Sequence, residues 1–568
     1  VLRFSPRPNR AELVRWREWG EDAFEEAAEQ GKLIALFITA FWCGFCQRMD
    51  ETSLSEDDVI TLLNAFFVPI RVEESQRPDV DLRYNQNGWP TISFFTPKGV
   101  HLASLNYTPP EDFVGFLVRL VDQYQQNTEA ILNAEPDAPP LPPSGDDVPL
   151  KPDLVEEVAG ILEGLADHEF GGYGLDLKLL HSEANQFALY LYEARGERHQ
   201  LDHVMHTLNT LRQSRTFDAA NGGFFRYSSR RDWQEPHPEK LLQDQADLLS
   251  SYLDTYLLSG DDSCRETAEG LITYLEDVLT TDETRPCFAG CQDYLHGSSI
   301  DTDAELPFVL DEVIYCDANA AAVSAYLKAW WLLGDQDCRT RAIEIVDFLW
   351  SKLRGKDGTL HHYSWGGEAR VPGLLADALS LGNALLDAHS TLGDDEYLAR
   401  ARELAEHVIE RHRCPDGGFY DIADPGAGKL AVPLTLMTEN AAAALFFTRL
   451  ADLSGEPAFR DQAHWALRRI PNSHREYGAF AAVFGHAVAR FLSPPLFVDL
   501  AGTPGVEDTV ALLRAARTQL HHPNLLLRFH EPDGETRPGA EITLTDGQTT
   551  IGPVTDPEVI EPGILASE

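Results

Sequence analysis

Hydrophobic positions along this chain fall into three regimes. Up to about Asn133 they come as short blocks. Leu33-Ile34-Ala35-Leu36-Phe37-Ile38-Thr39-Ala40 is a continuous apolar run of strand length, and Phe66 to Val72 and Thr91 to Thr96 repeat its character. Glu21 to Gln30, Gln47 to Leu63 and Glu111 to Gln125 carry helical periodicity, and Lys98-Gly99 turns into a further strand. Alternating elements with short turns predict a small α/β sandwich over residues 1–133. Glu135-Pro136-Asp137-Ala138-Pro139-Pro140-Leu141-Pro142-Pro143 is too Pro-rich for a helix or central strand, so 134–152 reads as a semi-rigid linker.

The second regime, 153–492, is an internal repeat. Leu258-Ser259-Gly260-Asp261, Leu333-Gly334-Asp335, Leu392-Gly393-Asp394 and Leu453-Ser454-Gly455-Glu456 each join an apolar helix end to a second helix, with a weaker instance at Arg195-Gly196-Glu197. Gly171-Gly172-Tyr173, Gly222-Gly223-Phe224 and Gly417-Gly418-Phe419 fall in the alternate loops. A repeat of roughly 60–75 residues with two kinds of turn predicts stacked helical hairpins. About six fit, enough to close an (α/α)6 barrel, with an open α-solenoid as the alternative. Asn319 to Leu332 and Asn440 to Leu450 are apolar almost all round, as inner-ring helices must be. The third regime, 493–568, predicts a small α/β appendage: strand Leu496–Leu500, helix Val506–Leu520, strand Asn524–Phe529, then short strands at Glu541–Leu544 and Thr549–Ile551. The fold class is therefore multidomain, α/β plus all-α.

Composition narrows the function classes. At 568 residues, 43% hydrophobic and 24% charged, the chain is of globular type, and no apolar run reaches the roughly 18 residues a membrane span needs. A net charge of −45 repels phosphate backbones and anionic lipid, which argues against nucleic acid and membrane partners. Val1-Leu2-Arg3-Phe4 offers neither an initiator Met nor an apolar signal core; the expected location is cytoplasmic, with removal of a preceding segment left open. Eight cysteines do not make a disulfide scaffold. Cys287 and Cys291 have CxxxC spacing without a zinc-type partner cluster and read as structural thiols, while Cys264, Cys316, Cys338 and Cys414 read as small hydrophobes or surface thiols. Neither metal nor cofactor is expected.

The chemistry concentrates at Trp42-Cys43-Gly44-Phe45-Cys46, between the first strand and the following helix. Cys43 is then at a helix N-terminus, where unpaired N–H groups and the helix dipole favour a thiolate. Cys43 is the expected exposed nucleophile and Cys46 the resolving thiol. Gly88-Trp89-Pro90-Thr91 places a Pro immediately before a strand, a position for a cis peptide against the cysteine pair, and Trp42 and Pro90 are expected to shape a flat apolar groove for an extended peptide.

Taken in order, Trp16-Arg17-Glu18-Trp19, Glu74-Ser75-Gln76-Arg77-Pro78-Asp79-Val80-Asp81, Gly88-Trp89-Pro90, Gly222-Gly223-Phe224-Phe225-Arg226-Tyr227-Ser228, Pro236-His237-Pro238-Glu239-Lys240-Leu241-Leu242-Gln243-Asp244 and Val371-Pro372-Gly373 resemble the thioredoxin-domain family related to spermatogenesis-associated protein 20. The resemblance implies a thioredoxin-like domain followed by a six-hairpin barrel similar to that of N-acylglucosamine 2-epimerases and some glycosidases. This chain departs from the patterns of that family and of thioredoxins in four places. Gly44 and Gln47 stand where relatives have His, and Phe37 stands where thioredoxins carry a buried Asp. Leu177-Lys178-Leu179-Leu180 and Gln292-Asp293-Tyr294-Leu295-His296-Gly297 replace two of the family's loop motifs.

In the barrel, Arg226, Tyr227, His237, Glu239 and Asp244 gather titratable groups at one loop, and Asp377 is a candidate second acid on an inner helix. The alternative is that these groups are ion pairs and caps that lock the loop. His361-His362 and Asp301/Asp303 read as exposed loop residues. Three functions follow. The first is a dithiol–disulfide oxidoreductase module, with a protein disulfide or glycan as substrate. The others are a sugar-processing enzyme with an accessory thioredoxin domain, and a non-catalytic interaction protein.

Overall fold

The computed structural model describes residues 1–135, 149–280, 286–294, 308–468, 470, 472–503, 506–520, 522–530, 541–545, 550–557 and 560. Most of the linker, together with His296, Gly297, Asp301 and Asp303, lies outside the described residues. The chain forms two compact units, Val1–Pro142 with Asp421–Leu434, and Pro143–Tyr420 with Thr435–Glu568.

The first unit runs α1 (Glu21–Gln30), β1 (Leu33–Thr39), α2 (Gly44–Glu51), α3 (Asp57–Phe66), β2 (Phe67–Glu73), α4 (Pro78–Tyr84), β3 (Thr91–Phe95), β4 (His101–Leu105), α5 (Pro110–Gln126) and α6 (Thr128–Asn133). Its sheet has the order β2-β1-β3-β4, with β1 parallel to β2 and the other pairs antiparallel. β1 and β2 are buried along their whole length, which explains their unbroken apolar runs. The single helix expected from Gln47 to Leu63 is two helices. α2 stops at Glu51, Thr52 takes φ −115° and ψ −90°, and a 3₁₀ turn at Ser53–Ser55 precedes α3. The break follows from tertiary demands: the Asp50 carboxylate receives both Nη groups of Arg71 (2.8 and 2.9 Å), and Ser55 Oγ donates to Asp50 O (2.6 Å). The segment Asp421–Leu434 folds as part of this unit: Arg83 Nη1 donates to Asp421 (2.7 Å), and the Lys429 N–H donates to the Tyr84 hydroxyl (2.8 Å).

The second unit is a helical barrel. Its outer helices are α7 (Pro152–Leu165), α9 (Arg198–Gln213), α11 (Asp262–Tyr274), α13 (Gln336–Phe348), α15 (Asp395–Arg411) and α17 (Pro457–Leu467). The inner helices are α8 (Ser182–Arg195), α10 (Leu242–Ser259), α12 (Cys316–Leu333), α14 (Leu375–Leu392), α16 (Met437–Ser454) and α18 (Ala482–Leu492). Each inner helix packs on the next and α18 returns to α8, so the ring closes as an (α/α)6 barrel. Each Gly of the Gly-Asp turns is the left-handed residue that ends an inner helix, and Asp261, Asp335 and Asp394 then cap the following outer helix by accepting its N–H groups.

The loops at the opposite end carry β5 (Lys178–Leu179), β6 (Tyr227–Ser228), β7 (Lys240–Leu241), β8 (Cys291–Tyr294), β9 (Phe308–Asp311), β10 (Ile314–Tyr315), β11 (His361–Trp365) and β12 (Glu368–Pro372). An inner-helix amide clasps successive loops: Gln245, Asn319 and Asn440 each accept a backbone N–H, from Phe224, Phe288 and Phe419, and donate back to the same residue's carbonyl. The C-terminal region is a second four-stranded sheet, β14-β13-β15-β16, built from β13 (Leu496–Ala501), β14 (Leu525–His530), β15 (Glu541–Thr545) and β16 (Thr550–Val554), with α19 (Glu507–Leu520).

Candidate functional site

Cys43 and Cys46 form a disulfide. Cys43 is the N-cap of α2, and its Sγ accepts the Cys46 N–H at 3.0 Å. The helix therefore offers this sulfur a hydrogen bond and the positive end of its dipole, both of which stabilise a thiolate once the disulfide opens. The Trp89–Pro90 peptide is cis, and the Trp89 ring meets Trp42 edge-on at 5.1 Å, which places that turn beside the cysteine motif. Pro90 is buried. Cys43 was expected to be exposed, but bonded to Cys46 it shows only 5% of its surface. The open face beside it belongs to Phe45, between the two cysteines and 58% exposed, with the Tyr107 ring 5.7 Å away. Phe37 is a core residue, edge-on to Trp16 at 4.9 Å.

At the barrel end where inner helices begin, the residues from the Arg226–Asp244 loop converge. His237 stacks on Tyr227 (centroids 4.7 Å apart) and hydrogen-bonds the fully buried Glu239, which also faces Arg226 at 3.4 Å. Burial and the Glu239 charge raise the Tyr227 hydroxyl. Asp244, in the first turn of α10, is pushed up to about 7 by burial, against the opposing pull of Arg226. One turn further along α10, Asp247 is pushed up to about 6 by burial, with Glu183 and Asp317 adding to the effect. Asp377, buried in the first turn of α14, is raised by burial and held back by His362. Glu183, Asp244, Asp317 and Asp377 all occupy first turns of inner helices; the Glu183 charge raises Asp244 and Asp247, and the Asp317 charge raises Asp247 and Asp377. Antiparallel hairpins bring the inner N-termini to one rim, and the first-turn acids of α8, α10, α12, α14 and α16, favoured by the helix dipole, gather there; α18 contributes none.

His362 corrects the sequence reading. It is a buried residue of β11, not part of an exposed loop, and its Nδ1 lies 2.9 and 3.1 Å from the two Asp377 oxygens. Asp317, His362 and Asp377 bring one potential ligand atom each within 4.8 Å of one another, a group whose composition could hold a metal ion. Lys178 and Lys240 do something different: fully buried, each locks a Gly-Gly loop. Lys178 Nζ donates to Asp167 (2.8 Å) and Gly171 O (2.8 Å), and Lys240 Nζ to Asp218 (2.7 Å) and Gly222 O (2.6 Å). Cys287 and Cys291 are buried and not disulfide-bonded. The sequence reading also missed Glu73, a buried carboxylate at the end of β2 that accepts the Phe41 N–H (3.0 Å) just before the CxxC. Its only signal was its place at the end of a strand parallel to β1.

A family model described as Thioredox_DsbH, protein of unknown function, DUF255, matches residues 7–138. Spermatogenesis-associated protein 20 of Rattus norvegicus is 31% identical over 294 residues, covering 47% of this chain and 37% of that protein. The Homo sapiens protein of the same name is 30% identical with the same coverage. The matches thus span well under half the length of these curated relatives. Among solved structures, the cellobiose 2-epimerase from Bacillus thermoamylovorans B4167 superimposes with a TM-score of 0.47 at 15% identity, covering 58% of this chain and 88% of that one. A D-mannose isomerase gives 0.48 at 12% identity, covering 60% and 97%. No helix among the described residues is long and apolar enough to cross a membrane. Residues 7–138 are thus a thioredoxin-like domain matched by the Thioredox_DsbH model, and the chain is similar over part of its length to spermatogenesis-associated protein 20.

Proposed function

We propose that the N-terminal unit is a thiol–disulfide oxidoreductase module whose reacting atoms are the sulfurs of Cys43 and Cys46. The observation that carries this reading is the Cys43–Cys46 bond at the N-cap of α2, with the Cys46 N–H on the Cys43 sulfur. Starting from the disulfide, a partner thiolate attacks Cys43 Sγ, the Cys43–Cys46 bond breaks, and Cys46 leaves as a thiolate that takes up a proton. A second partner thiolate then attacks the partner sulfur of the mixed disulfide. This releases Cys43 as a thiolate stabilised by the α2 N-terminus; the partner is oxidised and the pair reduced. The reverse sequence reduces a partner disulfide. Trp42 and Pro90 are buried and do not form the expected open groove, so the apolar surface offered to an extended partner segment is that of Phe45, with Trp89 beside the motif. The barrel, assigned to residues 153–492, positions that partner or a glycan attached to it.

The test uses the full chain with insulin as the disulfide probe and dithiothreitol as electron source. The parent accelerates insulin reduction, Cys43→Ser abolishes the acceleration, and Cys46→Ser accumulates a mixed disulfide at Cys43. No adduct at Cys43 over a range of redox buffers rejects the reading.

A second reading, a sugar-processing barrel, is favoured by one observation: Asp244 and Asp247 are raised to about 7 and about 6 within one ring of acids, and the His362–Asp377 pair lies in the same ring. Two carboxylates that burial lifts toward neutrality suit general acid–base work. Under it, Asp247→Asn abolishes turnover of an oligosaccharide panel and leaves insulin reduction intact.

A further inference from the structure

Toward the C-terminal ends of the inner helices, away from the first turns that carry the acids, lies a cavity of about 480 Å³, within the size range of small-molecule sites. Its walls are the C-terminal halves of the inner helices, and Arg517 and His522 of the C-terminal region line it on one side. Trp331 and Tyr190 supply aromatic surface.

Charge on this wall does not cancel. Lys328 Nζ donates to both oxygens of Asp254 (2.6 and 2.7 Å), and Arg449 donates to Asn383 (2.9 Å) and Asp387 (2.5 Å), so two cations and two acids are matched. Arg490 and Arg517 remain against Glu193. Arg490 is 7% exposed and gives Nη1 to Asn524 Oδ1 (2.9 Å) and Pro523 O (3.3 Å). Among the described residues its Nε and Nη2 have no hydrogen-bond acceptor; the Asp452 carboxylate stands 3.8 Å from Nη2. Arg517 Nε has none either. Burial raises Glu193 to about 7, which weakens its opposition to them, Asp452 is shared between Arg490 and Arg460, and burial together with Arg490 and Arg449 holds the His486 imidazole down at about 4. Carbonyl dipoles at the inner-helix C-termini favour cations here. They are satisfied without demanding that buried guanidinium N–H groups face empty space, and leaving those groups unanswered is costly.

We propose that this axial cavity binds a small molecule bearing an oxyanion, a carboxylate or a phosphate, which the Arg490 and Arg517 guanidinium groups grip while its uncharged body lies against Trp331 and Tyr190. Guanidinium forks match the paired oxygens of either group. The site is separate from the CxxC and from the acid ring, so its test does not depend on either.

The experiment is calorimetric titration of the full-length chain with inorganic phosphate, citrate and, as a neutral comparator, glycerol, each to about 10 mM, where a Kd of about 1 mM saturates. Phosphate or citrate binds and glycerol does not; which anion binds more tightly separates phosphate from carboxylate chemistry. Arg517→Gln weakens the binding by about tenfold or more while the far-UV spectrum is unchanged, and Arg490→Gln does so more strongly. Arg490 also tethers the Pro523–Asn524 segment, so Arg517→Gln decides the matter if Arg490→Gln fails to fold. No heat with either anion, equal binding of glycerol, or unchanged affinity in Arg517→Gln overturns the proposal.

Discussion

Arg71→Met tests whether the helix carrying the CxxC is held by one buried ion pair. The Arg71 and Asp50 side chains are 4% and 2% exposed, joined by two charge-assisted hydrogen bonds of 2.8 and 2.9 Å. Asp50 also accepts the Ser5 N–H at 2.9 Å, and the Arg71 guanidinium lies over the Phe4 and Trp16 rings. Methionine keeps the stem's packing and leaves Asp50 as a buried charge with one remaining N–H donor, a loss of about 3–5 kcal/mol. Replacing both partners, Asp50→Leu with Arg71→Met, removes the uncompensated charge and recovers most of that loss. Native-state hydrogen exchange read by mass spectrometry on peptides spanning β1 and β2 reports the opening free energy of this sheet without requiring the whole chain to unfold in one step. Amides of these strands exchange about 10²–10³-fold faster in Arg71→Met and return toward the parent rate in the double variant. Exchange within about threefold of the parent in the single variant, or a double variant no slower than the single, would refute the argument that this pair anchors α2.

The Gly-Gly loops and the acid ring give two more predictions. A Cβ on Gly223 (φ +75°) falls 2.8 Å from the buried Tyr274 ring, whereas one on Gly196 (φ +70°) meets open space. Gly196→Ala therefore costs only about 1–2 kcal/mol of left-handed strain, and Gly223→Ala about 1–3 kcal/mol more, measured as the difference between their thermal or urea transitions. Asp244 has a folded-state value of about 7 against 3.8 for the free side chain, so the unfolded chain loses its proton first and the parent loses stability as pH rises from about 4 to about 7. Asp244→Asn lacks this loss: its melting temperature gains on the parent across that window and the gain vanishes below it, and a difference independent of pH contradicts the raised value.

The chain's local signals carried most of the architecture. Unbroken apolar runs marked β1 and β2 as strands buried on both faces, and Gly260, Gly334, Gly393 and Gly455 followed by an acid marked helix ends whose backbone needs a left-handed residue and whose successor needs a cap. These depend on neighbours in sequence, so sequence suffices to see them. The CxxC before a helix and the Pro before β3 were legible for the same reason. Thr52 was not: α2 ends there because Asp50 reaches Arg71 on another element, and nothing local announces it.

His362, Lys178 and Lys240 show the other limit. His362 reads as an exposed loop residue, and for neither Lys178 nor Lys240 does the sequence name a partner; each is buried because a carboxylate, on Asp377, Asp167 or Asp218, is carried to it by the closing of a loop or a neighbouring hairpin. By itself the sequence determined most barrel helices and the main strands of the two α/β regions, that the hairpins repeat, and where two sulfurs meet a helix start. Only the tertiary structure decided how far Cys43 is covered, that the acids of separate hairpins share one rim, and that Arg490 faces a cavity. Those outcomes are set by through-space electrostatics and packing between distant residues, which a linear pattern does not encode.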